Sequence, residues 1–355
     1  MRRRHDSSSG LLAGASVREP GIDPLSDVLR AVRLTGAWFF LLDATSPWWA
    51  EVPEGAAIAP ALLPQAQHLV SYHVITEGRC WAGLSDGTQA WLDAGDVVVF
   101  PHGDAYALSS APGKVGAQPL EAGLAFFRML AAGQLPRTIV EGGGGPGRVH
   151  AVCGFLGCDI LPFNPILATL PRLLHLRRAT RPSEGPMDDR VGRLVELALA
   201  ESSDPRAGSD CVLLRISELL FVEVVRRHLA TLGPDQVGWL AGLRDPTVGR
   251  ALRLIHQQPA QPWTLEALAR EAGLSRSVLA ERFTHFIGQP PMQYLTRWRM
   301  QVAARHLADG AVKVATVALD VGYDSEAAFS RAFKRAVGVS PAAWRDRQAQ
   351  GPTTA

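Results

Sequence analysis

Cysteine is scarce in this chain, and long apolar runs are missing from it. Four cysteines among 355 residues, without the spacing of a disulfide framework, argue against a disulfide-stapled secreted protein and favour a reducing compartment. The opening "MRRRHDSSSG" lacks the apolar core of a signal peptide, and no stretch approaches the roughly 18 apolar residues of a membrane span. We therefore expect a soluble, cytoplasmic protein with no membrane partner, in which residues 1–21 form a disordered tail.

A strong net charge is also missing, but the small excess hides an uneven distribution. The formal net charge is +2. The segment from Pro246 to Ala355 contains 14 Lys and Arg against 8 Asp and Glu, which leaves 22 basic and 26 acidic residues for the earlier part. A basic C-terminal third joined to a mildly acidic remainder indicates that one end of the protein contacts a polyanion.

The pattern of apolar residues changes along the chain. From about residue 22 to residue 159, short apolar runs broken by Gly and Pro predict a β-sandwich or barrel. After Asn164 the apolar residues follow helical spacing, most clearly in "DCVLLRISELLFVEVVRRHLATL". This predicted helix is apolar over a broad face, so we expect it to pack either on the sandwich or on its twin in a homodimer.

One pattern occurs twice near the C-terminus, as "AGLSRSVLAERFTHFIGQPP" and "VGYDSEAAFSRAFKRAVGVSP", 49 to 50 residues apart. In the first copy, Thr264 and Ser275 are typical helix N-caps, and Gly273 and Gly288 suit helix C-termini. Two short helices joined by a Gly-containing turn form a helix-turn-helix. The longer helix predicted in "PPMQYLTRWRMQVAARHLADG" would set the distance between the two units.

The second helix of each unit is amphipathic. On helical spacing we expect the following side chains to be buried: Leu279, Phe283, Phe286, Ala328, Phe329, Ala332, Phe333 and Ala336. The opposite faces are small and polar or basic, with Ser277, Ala280, Glu281 and Thr284 in the first helix and Ala327, Ser330, Arg331 and Lys334 in the second. Small side chains let a helix enter the major groove, where Arg and Ser can reach bases or phosphates.

These residues resemble the double helix-turn-helix domain of AraC/XylS-type transcription regulators, over about Leu243 to Arg345. The resemblance implies that two helices of one chain enter successive major-groove segments of double-stranded DNA. It also implies RNA polymerase as a partner if the protein is an activator, which we expect. Carried over by motif position, the DNA-contacting candidates are Arg276, Ser277, Ala280, Glu281, Glu326, Ala327, Ser330, Arg331 and Lys334. Glu281 departs from the basic residue expected at its position, and as an acceptor it suits cytosine N4.

Two motifs in the first half resemble those of cupins. "AGDVVVFPHGDAY" is similar to the second cupin motif, with Tyr106 where many cupins have a metal-binding His. "SYHVITEG" offers His73 and Glu77 at the spacing of the first motif, but Ser71 replaces its other His. The metal site is therefore incomplete, and we expect no metal and no cofactor. The resemblance implies a jelly-roll that binds an unknown small-molecule effector, for which His73, Glu77, His102 and Tyr106 are candidate ligand-binding residues.

The predicted fold class is a multidomain α+β chain with a cupin-like β jelly-roll, appended helices and a C-terminal all-α double helix-turn-helix domain. The expected divisions are a sensor domain at 22–204, a helical linker and possible dimerisation segment at 205–242, the DNA-binding domain at 243–347 and a disordered tail at 348–355. Two alternatives stay open: a metal-dependent cupin enzyme, and a regulator switched by oxidation of Cys153 and Cys158. On an extended strand these two cysteines would point to opposite faces about 17 Å apart, beyond bridging distance.

Overall fold

The computed structural model describes residues 23–31, 34–159, 162–178, 189–233, 235–310 and 312–350. The predicted tail at 1–21 lies outside these ranges. The strands are β1 (Leu34–Thr45), β2 (Trp49–Val52), β3 (His68–Glu77), β4 (Arg79–Leu84), β5 (Gln89–Asp93), β6 (Val97–Phe100), β7 (Tyr106–Ser109), β8 (Thr138–Gly142), β9 (Arg148–Cys158) and β10 (Leu174–Leu176). The helices in and around them are α1 (Pro24–Ala31), α2 (Gly55–Leu62), α3 (Leu120–Ala131), α4 (Arg190–Ser203) and α5 (Ser209–Thr231). The C-terminal helices are α6 (Trp239–Arg244), α7 (Pro246–Gln257), α8 (Leu265–Ala272), α9 (Arg276–Ile287), α10 (Pro291–Ala308), α11 (Val314–Asp320), α12 (Glu326–Val337) and α13 (Pro341–Gln350).

The described strands form two sheets that enclose a core. One sheet has the order β10-β6-β3-β9-β1-β8 and the other the order β2-β7-β4-β5. Alternation along β1 places Phe40 and Leu42 between the sheets, while Phe39 and Leu41 pack on the opposite side against helices. Both faces of the larger sheet are therefore covered. The predicted sandwich is confirmed, although α2 and α3 interrupt the run of strands that the sequence suggested.

Helix α5 lies on the outer face of the larger sheet. Leu213, Ile216 and Leu220 are buried in one apolar cluster with Tyr72 of β3. The Tyr72 hydroxyl is 2.8 Å from the Ser217 hydroxyl, and both groups are buried. Packing on the sandwich therefore accounts for most of the broad apolar face. The homodimer remains a prediction.

The two helix-turn-helix units differ in what covers them. The first unit, α8 and α9, shares its apolar cluster with α1, α5, α6 and the larger sheet. The second unit, α11 and α12, has a separate core with part of α10 and α13, in which Phe329, Phe333 and Trp344 pack together. The first unit is thus continuous with the sensor domain, and the second is packed on its own.

Two predicted domain boundaries fall inside helices. Residue 243 lies within α6, whose Trp239 is buried and donates its indole N–H to the Tyr294 hydroxyl of α10 at 2.7 Å. The backbone N–H of Gly238 donates to the Phe286 carbonyl of α9 at 2.8 Å. Helix α6 therefore packs as part of the DNA-binding domain. At the other end, α13 continues to Gln350, beyond the predicted boundary at 347.

Candidate nucleic-acid interface and sensor site

The first unit begins and ends its helices where the sequence predicts. The Thr264 hydroxyl accepts from the Ala267 N–H at 3.1 Å and starts α8, which ends at Gly273 with φ 78°. The Ser275 hydroxyl accepts from the Val278 N–H at 3.4 Å and starts α9. Gly288, with φ 74°, ends α9 in the left-handed conformation that glycine adopts without steric cost.

The second helix of the second unit repeats the construction of α9 50 residues later, since α9 starts at Arg276 and α12 at Glu326. The Ser325 hydroxyl accepts from the Ala328 N–H at 3.3 Å, and Gly338 with φ 84° ends α12. Both helices are 12 residues long. We call α9 and α12 the readout helices from here on.

The buried faces of the readout helices follow the predicted pattern closely. Leu279, Phe283, Phe329 and Phe333 are fully buried. Three other residues expected on those faces, Phe286, Ala328 and Ala332, are half-buried. Ala336 is exposed, so its predicted burial is wrong, because the last turn of α12 borders an open groove beside α10.

The predicted DNA-contacting residues lie on the free faces of the readout helices. Ala280 and Ser330 are half-buried, and the following are exposed: Arg276, Ser277, Glu281, Glu326, Ala327, Arg331 and Lys334. The Arg276 guanidinium is already engaged by Glu266 of α8, with 2.7 Å between Nη1 and Oε1. Within the described ranges, neither Arg331 nor Lys334 has an ion-pair partner. The available positive charge is therefore greater on α12.

One arginine of α9 that flanks the predicted readout face is part of the scaffold. Arg282 donates from Nε to Asp245 Oδ2 at 3.0 Å, and its Nη2 bonds the same oxygen. Asp245 is buried and caps α7. Burial by itself would raise the pKa of Asp245, but hydrogen bonds from Arg282 and from the α7 backbone lower it to about 2. Sequence spacing gave no signal for this pair, because its members are far apart in the chain.

Helix α10 fixes the distance between the two units. Arg299 donates from Nε to the Pro259 carbonyl at 2.7 Å and from Nη2 to the Gln261 carbonyl at 2.8 Å. On the same side, Gly322 has φ 80°, and a Cβ there would lie 2.5 Å from the Ala260 carbonyl oxygen. This close contact holds the turn between α11 and α12 against the loop before α8.

Two of the four candidate ligand-binding residues meet inside the sandwich. His73 of β3 and Tyr106 of β7 face each other from opposite sheets, with 2.7 Å between Nε2 and the phenol oxygen. Both are fully buried, and Phe100 stacks on Tyr106. Burial lowers the pKa of His73 to about 3, so its imidazole is neutral near pH 7. No hydrogen-bond partner is present at His73 Nδ1 among the described residues.

The other two candidates lie elsewhere. Glu77 pairs with His150 at the surface, with 2.9 Å between Oε2 and Nδ1, and its side chain is 62% exposed. A break in the strand register between Ile75 and Glu77 turns it away from the face that His73 occupies. His102 is 2.8 Å from the Leu170 carbonyl oxygen. The four residues that the motif spacing selected therefore do not lie in one site.

Cys153 and Cys158 are free thiols on opposite faces of β9, as the strand alternation predicts. Cys153 lies between the sheets and Cys158 on the helix-covered side. Burial raises the pKa of Cys158 to about 12 and that of Cys153 well above its ordinary value. Burial therefore favours the protonated form of both thiols.

In the parts of the chain that the structure describes, no three His, Cys, Asp or Glu side chains are grouped so that they could hold a metal ion. No helix in those parts is both long and apolar enough to cross a membrane.

Comparison with known proteins agrees with both halves of this architecture. Residues 23–230 match a cupin family model, and residues 268–347 match a helix-turn-helix domain model. An AraC-like transcription regulator of Streptomyces antibioticus is 32% identical over 331 residues, which cover 91% of this chain and 98% of that protein. The HTH-type transcriptional regulator AlkR of Acinetobacter baylyi is 33% identical over 284 residues, 79% of this chain and 89% of that protein.

Among solved structures, the C-terminal domain of AraT, a response regulator from Geobacillus stearothermophilus, is 35% identical. The match covers 29% of this chain and 85% of that one, with a TM-score of 0.28. The long matches in sequence, together with the paired helix-turn-helix units described above, place this chain in the family of AraC-type DNA-binding transcription regulators with an N-terminal cupin domain.

Proposed function

We propose that one chain binds two successive major-groove segments of its operator, with α9 in one segment and α12 in the next. The observation that supports this most strongly is that the two readout helices have the same length, the same serine N-cap and the same glycine C-terminus. Arg299 and Gly322 hold the two units at a fixed distance. A rigid pair of helices suits two grooves on one side of a duplex.

In this proposal α12 contributes most of the sequence discrimination. Arg331 and Lys334 are exposed on its outer face and have no carboxylate partner within the described residues, so both can reach DNA. Arg331 suits a bidentate bond to guanine O6 and N7. On α9, Arg276 must first leave Glu266, and Glu281 repels phosphate. Helix α9 therefore contributes mainly to the placement of the protein on the DNA, and less to sequence discrimination.

Selection of binding sites from a random duplex library, followed by hydroxyl-radical footprinting of the full chain, tests this arrangement. We expect two protected segments whose centres lie about 10 base pairs apart on one face of the duplex. Base substitutions in the segment under α12 should weaken binding more than those under α9. A single protected segment, or equal sensitivity of both, would contradict the proposal.

We further propose that the cupin domain binds a small-molecule effector and passes its effect to the first helix-turn-helix unit. The polar pair of His73 and Tyr106 is the candidate ligand contact in the interior. The sheet that contains His73 also contains Tyr72, which bonds Ser217 of α5 on the other face. The apolar cluster beneath α5 continues into α8 and α9. A shift of β3 therefore has a packed route to the DNA-binding surface.

We also propose that the protein acts in the cytoplasm as a transcriptional activator that contacts RNA polymerase, and that it forms a homodimer. Helix α5 supplies the candidate dimer surface, because its Val212 and Leu219 remain exposed at 39% and 52%. Transcription in vitro from a template that carries the selected site distinguishes activation from repression. Sedimentation of the parent and of a Leu219→Lys variant tests the dimer and its surface.

A further inference from the structure

An open groove runs between the sensor domain and the second helix-turn-helix unit. It has a volume of about 360 Å³, which is within the range of small-molecule sites. Pro162 of the segment after β9 forms one wall, α10 another, and the back of α12 the third. The groove is therefore lined by both domains and is separate from the cupin interior.

Two arginines give the groove its charge. Arg297 of α10 has its guanidinium 4.2 Å from the ring centroid of Phe163, and its Nη1 donates to Gln289 Oε1 at 3.2 Å. Arg335 of α12 is exposed. Across the described residues, neither arginine forms an ion pair, and no Asp or Glu is among the residues that line the groove. Two guanidinium groups without a counter-charge in one concave site attract an anion.

The rest of the lining suits an organic anion better than a bare inorganic one. Ala332 and Ala336 supply apolar surface, and Gln293 adds an amide. The exposure of Ala336, which the amphipathic pattern did not predict, is explained by its place in this groove. We propose that the groove binds a small organic anion, with its carboxylate or phosphate between Arg297 and Arg335 and its apolar part on Ala332 and Ala336.

Phosphate groups of DNA are the other anions that two arginines suit. The structure favours the small molecule because Arg297 is stacked on a residue of the sensor domain, and because Arg335 lies to the side of the face formed by Ala327, Ser330 and Arg331 on the helical wheel. A ligand in the groove contacts the sensor segment and α12 together. Since the core of the second unit is separate from that of the sensor domain, such a ligand would add a direct link between the sensor segment and α12.

This consequence for DNA rests on the proposed function, but binding of the anion does not. The test is isothermal titration of the full chain with benzoate and, separately, with inorganic pyrophosphate, at ionic strength matched with sodium chloride. The variants are Arg297→Gln and Arg335→Gln, with Arg270→Gln as the matched control, because Arg270 is an exposed arginine of α8 outside the groove. Circular dichroism checks the fold, and Arg335→Gln keeps the test valid if loss of the Phe163 contact unfolds the other variant.

We expect at least one probe to bind the parent and the control alike, and to bind the two groove variants about tenfold or more weakly, since each removes a charge-assisted hydrogen bond. Benzoate binding without pyrophosphate binding would identify a carboxylate ligand, and the reverse a phosphate ligand. Failure of both probes to bind the parent, or equal binding by all variants, would overturn the proposal. It would also be overturned if the groove variants weakened operator binding while leaving anion binding unchanged, since the arginines would then be DNA contacts. If the parent bound the anion but did not bind the operator, only the proposed function would be contradicted.

Discussion

Replacing His73 by glutamine should make the stability of the sensor domain less sensitive to acid. The imidazole is buried between the sheets, and burial lowers its pKa to about 3 from 6.5. The unfolded chain takes up a proton on this residue below about pH 6.5, and the folded chain does not. Stability from this group is therefore complete above that pH and decreases as the pH falls toward 3.

The size of the effect follows from the two pKa values. Each pH unit within the window changes the free energy of unfolding by at most about 1.4 kcal/mol, so the loss from His73 at pH 5 is about 2 kcal/mol. Glutamine does not titrate, and its amide can still bond the Tyr106 hydroxyl. His256 is also buried with a lowered pKa, but it is present in both proteins, so the difference between them isolates His73.

Urea unfolding of the parent and of His73→Gln, each at about pH 7.5 and pH 5, measures this difference. The parent should lose about 2 kcal/mol more than the variant between the two conditions. His285→Gln, which removes an exposed histidine of α9, is the control and should behave like the parent. Parallel losses in the parent and in His73→Gln would show that His73 is not held neutral in the folded state, and the lowering of its pKa by burial would be wrong.

Four further outcomes are expected. Arg331→Ala should lower affinity for the selected duplex by about 1–3 kcal/mol in an anisotropy titration, and Glu281→Ala by less than about 0.5 kcal/mol; the reverse order would show that α9 dominates. The Tyr294 hydroxyl bonds the buried Trp239 indole N–H at 2.7 Å and the buried His256 Nε2 at 2.9 Å. Tyr294→Phe should therefore cost about 1–3 kcal/mol of stability in thermal unfolding, and an unchanged melting curve would contradict this role of the hydroxyl. A fragment covering residues 235–355 should bind DNA with an affinity that falls about a hundredfold or more between roughly 50 and 200 mM salt. Its melting temperature should be higher than that of a fragment that starts at residue 243, because the shorter fragment lacks the buried Trp239 of α6. Elemental analysis should find far less than one transition metal ion per chain. If it found about one iron, manganese or zinc per chain, and His73→Ala removed that metal, the enzyme interpretation would be revived.

The sequence by itself determined the features that depend on near neighbours in the chain. Ser275 and Gly273 mark helix ends because a cap bonds a backbone N–H three residues away and a left-handed turn needs glycine within the same segment. The alternation in β1 and the spacing of Phe329 and Phe333 follow from the periods of a strand and a helix. Such patterns sufficed to predict the sandwich and the two helix-turn-helix units, and the resemblance of the repeated motif to AraC/XylS-type regulators indicated the family.

The tertiary structure decided which distant residues meet. Glu77 lies at the motif spacing from His73, but an irregularity in the strand register turns it outward to His150. Arg282 of α9 bonds Asp245, which precedes it by 37 residues in the chain. Packing between distant elements also forms the core that α6 and the first helix-turn-helix unit share with the sensor domain. It likewise forms the groove lined by two arginines. Contacts between residues far apart in the chain depend on register and packing, which no local pattern encodes.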